Sequence, residues 1–168
     1  MLSERRIIEK IMNQVGHETI FAVATPPGRS AIAVIRISGP LASDVPALFG
    51  ATCPEAGQFS VARLFLDQQV IDQVILLFMK APYSSTGEDV CEIHCHGSRA
   101  VVDVLLARLG TKDGYSMARA GEFTRRGFMN EKMDLSAVEG LADLIEAETA
   151  KQLHQAWAQI DGALRGPV

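Results

Sequence analysis

Apolar residues recur along this chain with the two-residue period of strands in some stretches and with helical spacing in others. Strand-type runs, separated by short polar turns, cover residues 19–24, 31–37, 59–66, 70–79, 90–96 and 115–119. Residues 74–79 are apolar throughout, which is typical of a central strand covered on both faces. Helical spacing at residues 98–109 and 122–129 predicts two helices, and Gly110 is suited to end the first. The pattern predicts an α+β fold, with helices packed on a mixed or antiparallel sheet.

Two further stretches carry helical stripes at the ends of the chain. Residues 2–14 have the pattern of an amphipathic helix. From Ser136, which is spaced with Glu139 as a capping box, apolar residues keep one face for about seven turns. This stripe consists of Val138, Leu141, Ile145, Leu153, Ala156 and Ile160. The sequence therefore predicts one long helix, and because its stripe has no obvious partner we expect self-association or the start of a helical domain.

The strand predicted at residues 90–96 carries several titratable side chains within a short stretch of the chain. Side chains on a strand alternate between faces. One face would carry Cys91, Ile93 and Cys95. The other face would carry Val90, Glu92, His94 and His96. Three titratable groups in succession are unusual on a purely structural strand, so this strand is expected to border a functional site.

Bulk composition places the chain among globular proteins. Its 168 residues are 48% hydrophobic, which suits one ordinary domain with an appendage. No apolar run approaches the roughly 18 residues of a membrane span, and no secretory signal is evident, so a cytoplasmic location is expected. The three cysteines are expected to be free thiols. The net charge of −4 argues against binding nucleic acid through bulk electrostatics.

Several chemistries can be tested against the residue spacing. Glu92, His94 and His96 include zinc-ligand types, but neither CxxC nor HExxH is present, so no metal site is predicted. No Gly-Lys dipeptide exists to form a P-loop, and the chain alone should not hydrolyse GTP. Cys91 and Cys95 are expected to be buried, which does not suit nucleophiles. A histidine acting as general base stays possible but has no identified partner, and no catalytic residue is assigned.

Three separated blocks of sequence resemble the N-terminal domain of the MnmE (TrmE) family of tRNA-modifying GTPases. The first block is ATPPGR followed by VIRISG, within residues 24–39. The second is TGEDV with Glu92 and the His-Gly pair after it, within residues 86–97. The third is GEFTRR followed by Phe128, Asn130 and Lys132, within residues 121–135. Order and spacing agree over roughly residues 17–150, which makes the resemblance specific.

The resemblance implies a fold similar to aminomethyltransferase-type folate domains and a site for 5-formyl- or 5,10-methylene-tetrahydrofolate. Its motif positions imply three residues of that site, Arg36, Glu92 and Lys132. Taken alone, each residue can also be explained by an ordinary structural role: Arg36 as a strand-end arginine, Glu92 as an edge-strand glutamate and Lys132 as a surface lysine. A basic cluster nearby is either a solvated face or a contact for the folate tail or tRNA phosphates. The cluster comprises Arg119, Arg125 and Arg126.

The resemblance also implies an assembly and a division of the chain. We expect a helical extension at residues 1–16, a folate-binding and dimerisation domain at 17–134, and the first helix of an incomplete helical domain at 135–168. The partners implied are a second copy of the chain, the flavoprotein MnmG (GidA) and tRNA, with no membrane. One-carbon transfer to C5 of the wobble uridine would also need a GTPase domain with its GTP, magnesium and potassium, which this sequence lacks. Two alternatives stay open: a dimerisation scaffold without folate, and a standalone folate-dependent transferase.

Overall fold

Six strands form one sheet in the computed structural model, which describes the backbone of residues 18–164 and the side chains of residues 18–161. The strands are β1 (Thr19–Val23), β2 (Ser30–Ser38), β3 (Phe59–Leu66), β4 (Gln69–Met79), β5 (Val90–Gly97) and β6 (Tyr115–Met117). Their order is β3-β4-β5-β2-β1-β6. All neighbours pair antiparallel except β1 and β6, which are parallel. The sheet is therefore mixed, and the predicted α+β class is confirmed.

The described chain divides into two compact units, and the first contains the whole sheet. This unit comprises residues 18–84 and 88–119. Helix α1 (Arg99–Gly110) belongs to this unit and covers one face of the sheet with Leu105 and Leu109, which are fully buried. Two 3-10 turns, Ala42–Asp44 and Pro46–Phe49, contribute Ala42 and Phe49 to the same core, as does Val45 between them. The helix predicted at residues 98–109 is thereby confirmed.

The opposite face of the sheet, here called the open face, keeps apolar residues exposed. Val61 on β3 is 61% exposed, Ile75 on β4 is 42% exposed and Ile32 on β2 is 58% exposed. The prediction that residues 74–79 are covered on both faces is therefore wrong at Ile75 in the described structure. The run is apolar because Val74, Leu76 and Phe78 fill the core, while the alternate positions lie on the open face.

The predicted turn between β3 and β4 is confirmed. Asp67 and Gln68 both adopt positive φ, 48° and 67°, as a two-residue turn that matches strand twist requires. Just before this turn, the register of the β3–β4 pairing shifts between Leu64 and Phe65, as at a β-bulge. Asp72 on β4 lies beside the end of β5, where its carboxylate accepts from the His96 N–H at 2.8 Å.

The second unit, residues 85–87 and 120–164, contains helices in place of the predicted single long helix. Its helices are α2 (Glu122–Met129), α3 (Leu135–Glu146) and α4 (Ala150–Leu164). The helix break after α3 is stabilised because the Gln152 side-chain oxygen accepts from the backbone N–H groups of Glu148 and Thr149. In return the Thr149 hydroxyl accepts from the Gln152 N–H. This reciprocal arrangement is a capping box, which starts a new helix at that point.

The apolar stripe of the C-terminal segment finds its partner within the segment. Helices α3 and α4 pack against each other, and Ala137 and Ala156 are buried. A Cβ added to Gly140 would lie 2.9 Å from the Ile160 side chain and 3.2 Å from the Ala156 carbonyl oxygen. The prediction that the stripe lacks an internal partner is therefore wrong, because the chain folds back on itself.

The start of α3 also differs from the prediction. Asp134 is the N-cap, and its carboxylate accepts from the Ala137 N–H at 2.8 Å, so the predicted cap at Ser136 is wrong. The amphipathic helix expected at residues 2–14 lies outside the described residues. The predicted domain limits at residues 16 and 134 stay predictions.

Candidate functional site

Strand β5 presents the two faces that its sequence predicts. Cys91, Ile93 and Cys95 belong to the buried core. Glu92 and His94 lie on the open face, where the register of the sheet fixes their neighbours. One cross-strand row contains Phe59, Leu77, Glu92 and Arg36. The next row along the strands contains Val61, Ile75, His94 and Val34.

Arg36 and Glu92 are directly opposite each other on β2 and β5 and form an ion pair. The Arg36 Nε donates to Glu92 Oε1 at 2.8 Å, and Nη2 lies 2.8 Å from the same oxygen. The Glu92 side chain is 9% exposed, whereas that of Arg36 is 32% exposed. The structure therefore brings two of the three predicted site residues together, with the Glu92 carboxylate largely buried and the Arg36 guanidinium closer to solvent.

His94 engages the second oxygen of the same carboxylate. Its Nε2 lies 2.9 Å from Glu92 Oε2. Burial by itself raises the pKa of Glu92, but the hydrogen bonds from His94 and Arg36 and the charge of Arg36 outweigh burial and hold that pKa below its ordinary value. Glu92 is consequently an ionised carboxylate that can only accept hydrogen bonds.

His96 has a partner that the sequence did not reveal. Its Nδ1 lies 2.7 Å from Asp72 Oδ1, and its backbone N–H donates to Asp72 Oδ2 at 2.8 Å. Burial opposes ionisation of Asp72, but the two hydrogen bonds from His96 and one from the Gln73 N–H lower its pKa overall. The signal available in the sequence is an acidic residue, Asp72, inside the strand predicted at residues 70–79. An open cleft of about 310 Å³ lies between these histidines and the apolar residues Ile32, Val61 and Ile75.

The cysteines of β5 are packing residues. Burial, with smaller effects from Cys53 and Glu92, raises the pKa of Cys91 to about 12. Burial also raises the pKa of Cys95 to about 11. Thiols with such pKa values stay protonated near neutral pH and are poor nucleophiles, which agrees with the predicted structural role.

The other acidic residues of the TGEDV block hold the loop that precedes β5. Glu88 Oε2 accepts from the Ser38 hydroxyl at 2.7 Å, and its carbonyl accepts from the Ser84 hydroxyl at 2.6 Å. Asp89 accepts from the Ala81 N–H at 2.8 Å through its side chain. These contacts tie the loop to the end of β2 and to its own start, whereas Glu92 lies on β5 itself and pairs with Arg36.

Lys132, the third predicted site residue, belongs to the second unit. Its backbone N–H donates to the Gly127 carbonyl at 2.8 Å. Next to it, Asn130 donates through Nδ2 to the Thr86 carbonyl at 2.7 Å. Gly87 has φ of 75°, and a Cβ there would lie 2.8 Å from the Asn130 Cβ and 3.1 Å from the Lys132 Cγ. Two of the sequence blocks thus meet inside this unit, while the three-residue ligand set stays a prediction.

Within residues 18–164, no group of three or more His, Cys, Asp or Glu residues is arranged to hold a metal ion. The same part of the chain contains no helix with the length and apolar character needed to cross a membrane.

Comparison with known proteins gives one consistent result. A family model described as "GTP-binding protein TrmE N-terminus" matches residues 19–132. Proteins called tRNA modification GTPase MnmE from Caulobacter vibrioides and Beijerinckia indica are 49% and 47% identical over 147 and 149 residues, each match covering 88% of this chain and 33% of the relative. The protein of that name from Roseobacter denitrificans is 49% identical over 148 residues, covering 88% of this chain and 35% of the relative. The chain spans about a third of the length of the curated relatives it matches.

Proposed function

Because this chain belongs to the family of the TrmE N-terminus, we propose that it is the tetrahydrofolate-binding and dimerising module of a tRNA-modification GTPase. In this proposal the bound folate, as 5-formyl- or 5,10-methylene-tetrahydrofolate, supplies the one-carbon unit that is added at C5 of the tRNA wobble uridine. The reaction also uses the flavoprotein MnmG and GTP hydrolysis by a part of the protein outside this chain. Relatives named tRNA modification GTPase MnmE support the tRNA-modification role.

The observation that carries the folate proposal is the Glu92 carboxylate on the open face. It is ionised, 9% exposed and matched in charge by Arg36 at 2.8 Å. A buried acceptor that is already neutralised by a cation suits a neutral ligand that offers N–H donors. The amino-pyrimidine edge of a pterin offers two such donors side by side. Leu77 and Phe59 continue the same row and provide apolar surface for a flat ring.

Lys132 and Arg36 are the cations of the proposed site. Folate ends in glutamyl carboxylates, and a lysine ammonium is a flexible point charge that suits such a group. We assign Lys132 to the glutamyl end because Arg36 is already paired with Glu92. A ligand-bound structure in which Glu92 points away from the pterin would contradict this orientation.

A specific observation also favours the scaffold alternative. The open face carries exposed apolar side chains at Ile32, Val61 and Ile75, and such surfaces are common at interfaces. If the chain is a dimerisation scaffold without folate, it will form a stable dimer by light scattering and bind no folate.

Calorimetric titration with 5-formyltetrahydrofolate tests the proposal. The parent chain should bind saturably, and Glu92→Gln, Arg36→Ala and Lys132→Ala should each weaken binding. Glu92→Gln keeps the side-chain shape but removes the charge, and loss of one charge-assisted hydrogen bond of about 1.5–3 kcal/mol predicts a loss of at least about tenfold. Arg63→Ala is the matched control, because Arg63 is an exposed arginine of β3 that the proposed site does not use. A parent that is folded by circular dichroism but binds no folate would require the site to be withdrawn.

A further inference from the structure

The second oxygen of Glu92 is held by a residue that the family resemblance does not assign to the site. His94 Nε2 lies 2.9 Å from Oε2, on the same face and two residues farther along β5. The His94 side chain is 31% exposed, so its outer edge borders the surface from which a ligand would approach.

The protonation state of Glu92 fixes the direction of this hydrogen bond. A carboxylate whose pKa is lowered accepts, and therefore the His94 Nε2 must carry the proton and donate. The other ring nitrogen, Nδ1, then faces away from Glu92. The orientation of the imidazole is thus set by Glu92, and the rotamer of Glu92 is set in turn by His94 and Arg36.

The number of acceptor positions on Glu92 limits how a ligand can bind. Each carboxylate oxygen accepts about two hydrogen bonds. Two nitrogens of Arg36 lie 2.8 Å from Oε1 and occupy both of its acceptor positions. Among the residues that the structure describes, Oε2 receives one donor, from His94, and so keeps one acceptor position. A ligand N–H can use that position without displacing a protein group.

We propose that His94 is a positioning residue of the ligand site, because its Nε2–H fixes Glu92 so that the remaining acceptor position of Oε2 faces the open side of the sheet. This inference rests on the proposed function, since it concerns the same pterin-binding carboxylate. It adds a determinant of affinity that acts through Glu92 and does not itself contact the ligand.

Substitutions at residue 94 separate hydrogen bonding from packing. In His94→Gln the side-chain amide reaches about as far as Nε2 and can donate to Oε2, whereas in His94→Leu a similar volume carries no donor. His94→Asn also carries an amide but is one bond shorter, so its donor falls short of Oε2. His96→Gln is the matched control, since it changes an imidazole on the same strand that is paired with Asp72. Thermal unfolding of each variant verifies that it is folded.

The expected result is a pattern of affinities for 5-formyltetrahydrofolate. His94→Leu and His94→Asn should bind about tenfold more weakly than the parent, because a Glu92 carboxylate that is no longer held in position loses its one hydrogen bond to the ligand N–H. His94→Gln and His96→Gln should stay within about twofold of the parent. In a Glu92→Gln background, His94→Leu should cause no further loss, because the oriented carboxylate is already absent.

Two outcomes would overturn the inference, and they are distinguishable. If the folded parent binds no folate, both the proposed function and the role of His94 fail. If the parent binds and His94→Leu binds equally well, or if Gln and Leu weaken binding to the same degree, the folate site stands and His94 is only a packing residue.

Discussion

The Asp72 carboxylate joins the end of β5 to β4, and its removal should weaken the sheet unit measurably. Three donors converge on it: the His96 ring at 2.7 Å, the His96 N–H at 2.8 Å and the Gln73 N–H at 2.7 Å. The substitution Asp72→Asn keeps the size of the side chain but replaces one acceptor oxygen with an amide that donates. At least one N–H of His96 then loses its partner.

The size of the effect follows from these contacts. A hydrogen bond to a charged group contributes about 1.5–3 kcal/mol, and the 71% exposure of the His96 side chain lets water replace part of it. We therefore expect Asp72→Asn to lower the free energy of unfolding by about 1–2 kcal/mol. Asp67→Asn is the matched control, because Asp67 lies in the turn at φ 48°, which asparagine tolerates.

The effect should also depend on pH in a defined direction. Since the pKa of Asp72 is lower in the folded protein than its ordinary value, its ionised form stabilises the fold. This contribution is fully present above the ordinary aspartate pKa of about 4 and is lost as the pH falls through the lower folded-state pKa. The difference between parent and Asp72→Asn should therefore shrink in acid.

Urea unfolding followed by two probes localises the change. Far-UV circular dichroism near the strand minimum reports the sheet, while the fluorescence of Trp157, the one tryptophan of the chain, reports α4 in the second unit. We expect Asp72→Asn to shift the dichroism transition more than the fluorescence transition. An equal loss in Asp67→Asn, or a loss for Asp72→Asn that persists unchanged at low pH, would refute the role assigned to this carboxylate.

Two predictions concern the second unit. Gly140→Leu should lower the free energy of unfolding by about 2 kcal/mol, because even a Cβ there would lie 2.9 Å from the Ile160 side chain. Trp157 fluorescence measures the unfolding transition, and an unchanged transition would mean that α3 and α4 do not pack closely. Thr149→Ala should cost about 1 kcal/mol through loss of the cap on α4, whereas Gln152→Glu should retain stability because glutamate completes the same capping box. Helical dichroism at 222 nm measures this pair, and equal losses in both would argue against the box.

The sequence predicted those parts of the structure that depend on local periodicity. The alternation along β5 predicts that Glu92 and His94 lie on one face of the sheet and Cys91 and Ile93 on the other, because successive side chains of a strand point to opposite faces. The pairing of Arg36 with Glu92 came from the family resemblance, since the two residues are 56 positions apart and periodicity carries no information on register.

The errors have identifiable causes. The apolar stripe keeps the same face on both sides of residues 147–149 and therefore predicts one long helix, whereas the Thr-x-x-Gln capping signal at Thr149 and Gln152 marks the start of a new helix. The contact between Asp72 and His96 is not predictable from the sequence, because the two residues are 24 positions apart and periodicity carries no information on which residues of β4 and β5 are neighbours.

The second unit is discontinuous in sequence, and this limits how it can be inherited or excised. The Thr86 carbonyl accepts the side-chain hydrogen bond of Asn130, although strands β5 and β6 and helix α1 separate residues 85–87 from residue 120 along the chain. A fragment that begins at residue 120 would retain three helices but lose the bent segment 85–87, to which Asn130 is hydrogen bonded. A gene rearrangement with a single breakpoint cannot transfer this unit intact. Residues 85–87 and 120–164 are therefore expected to be lost or kept together over evolution, as a single unit of selection.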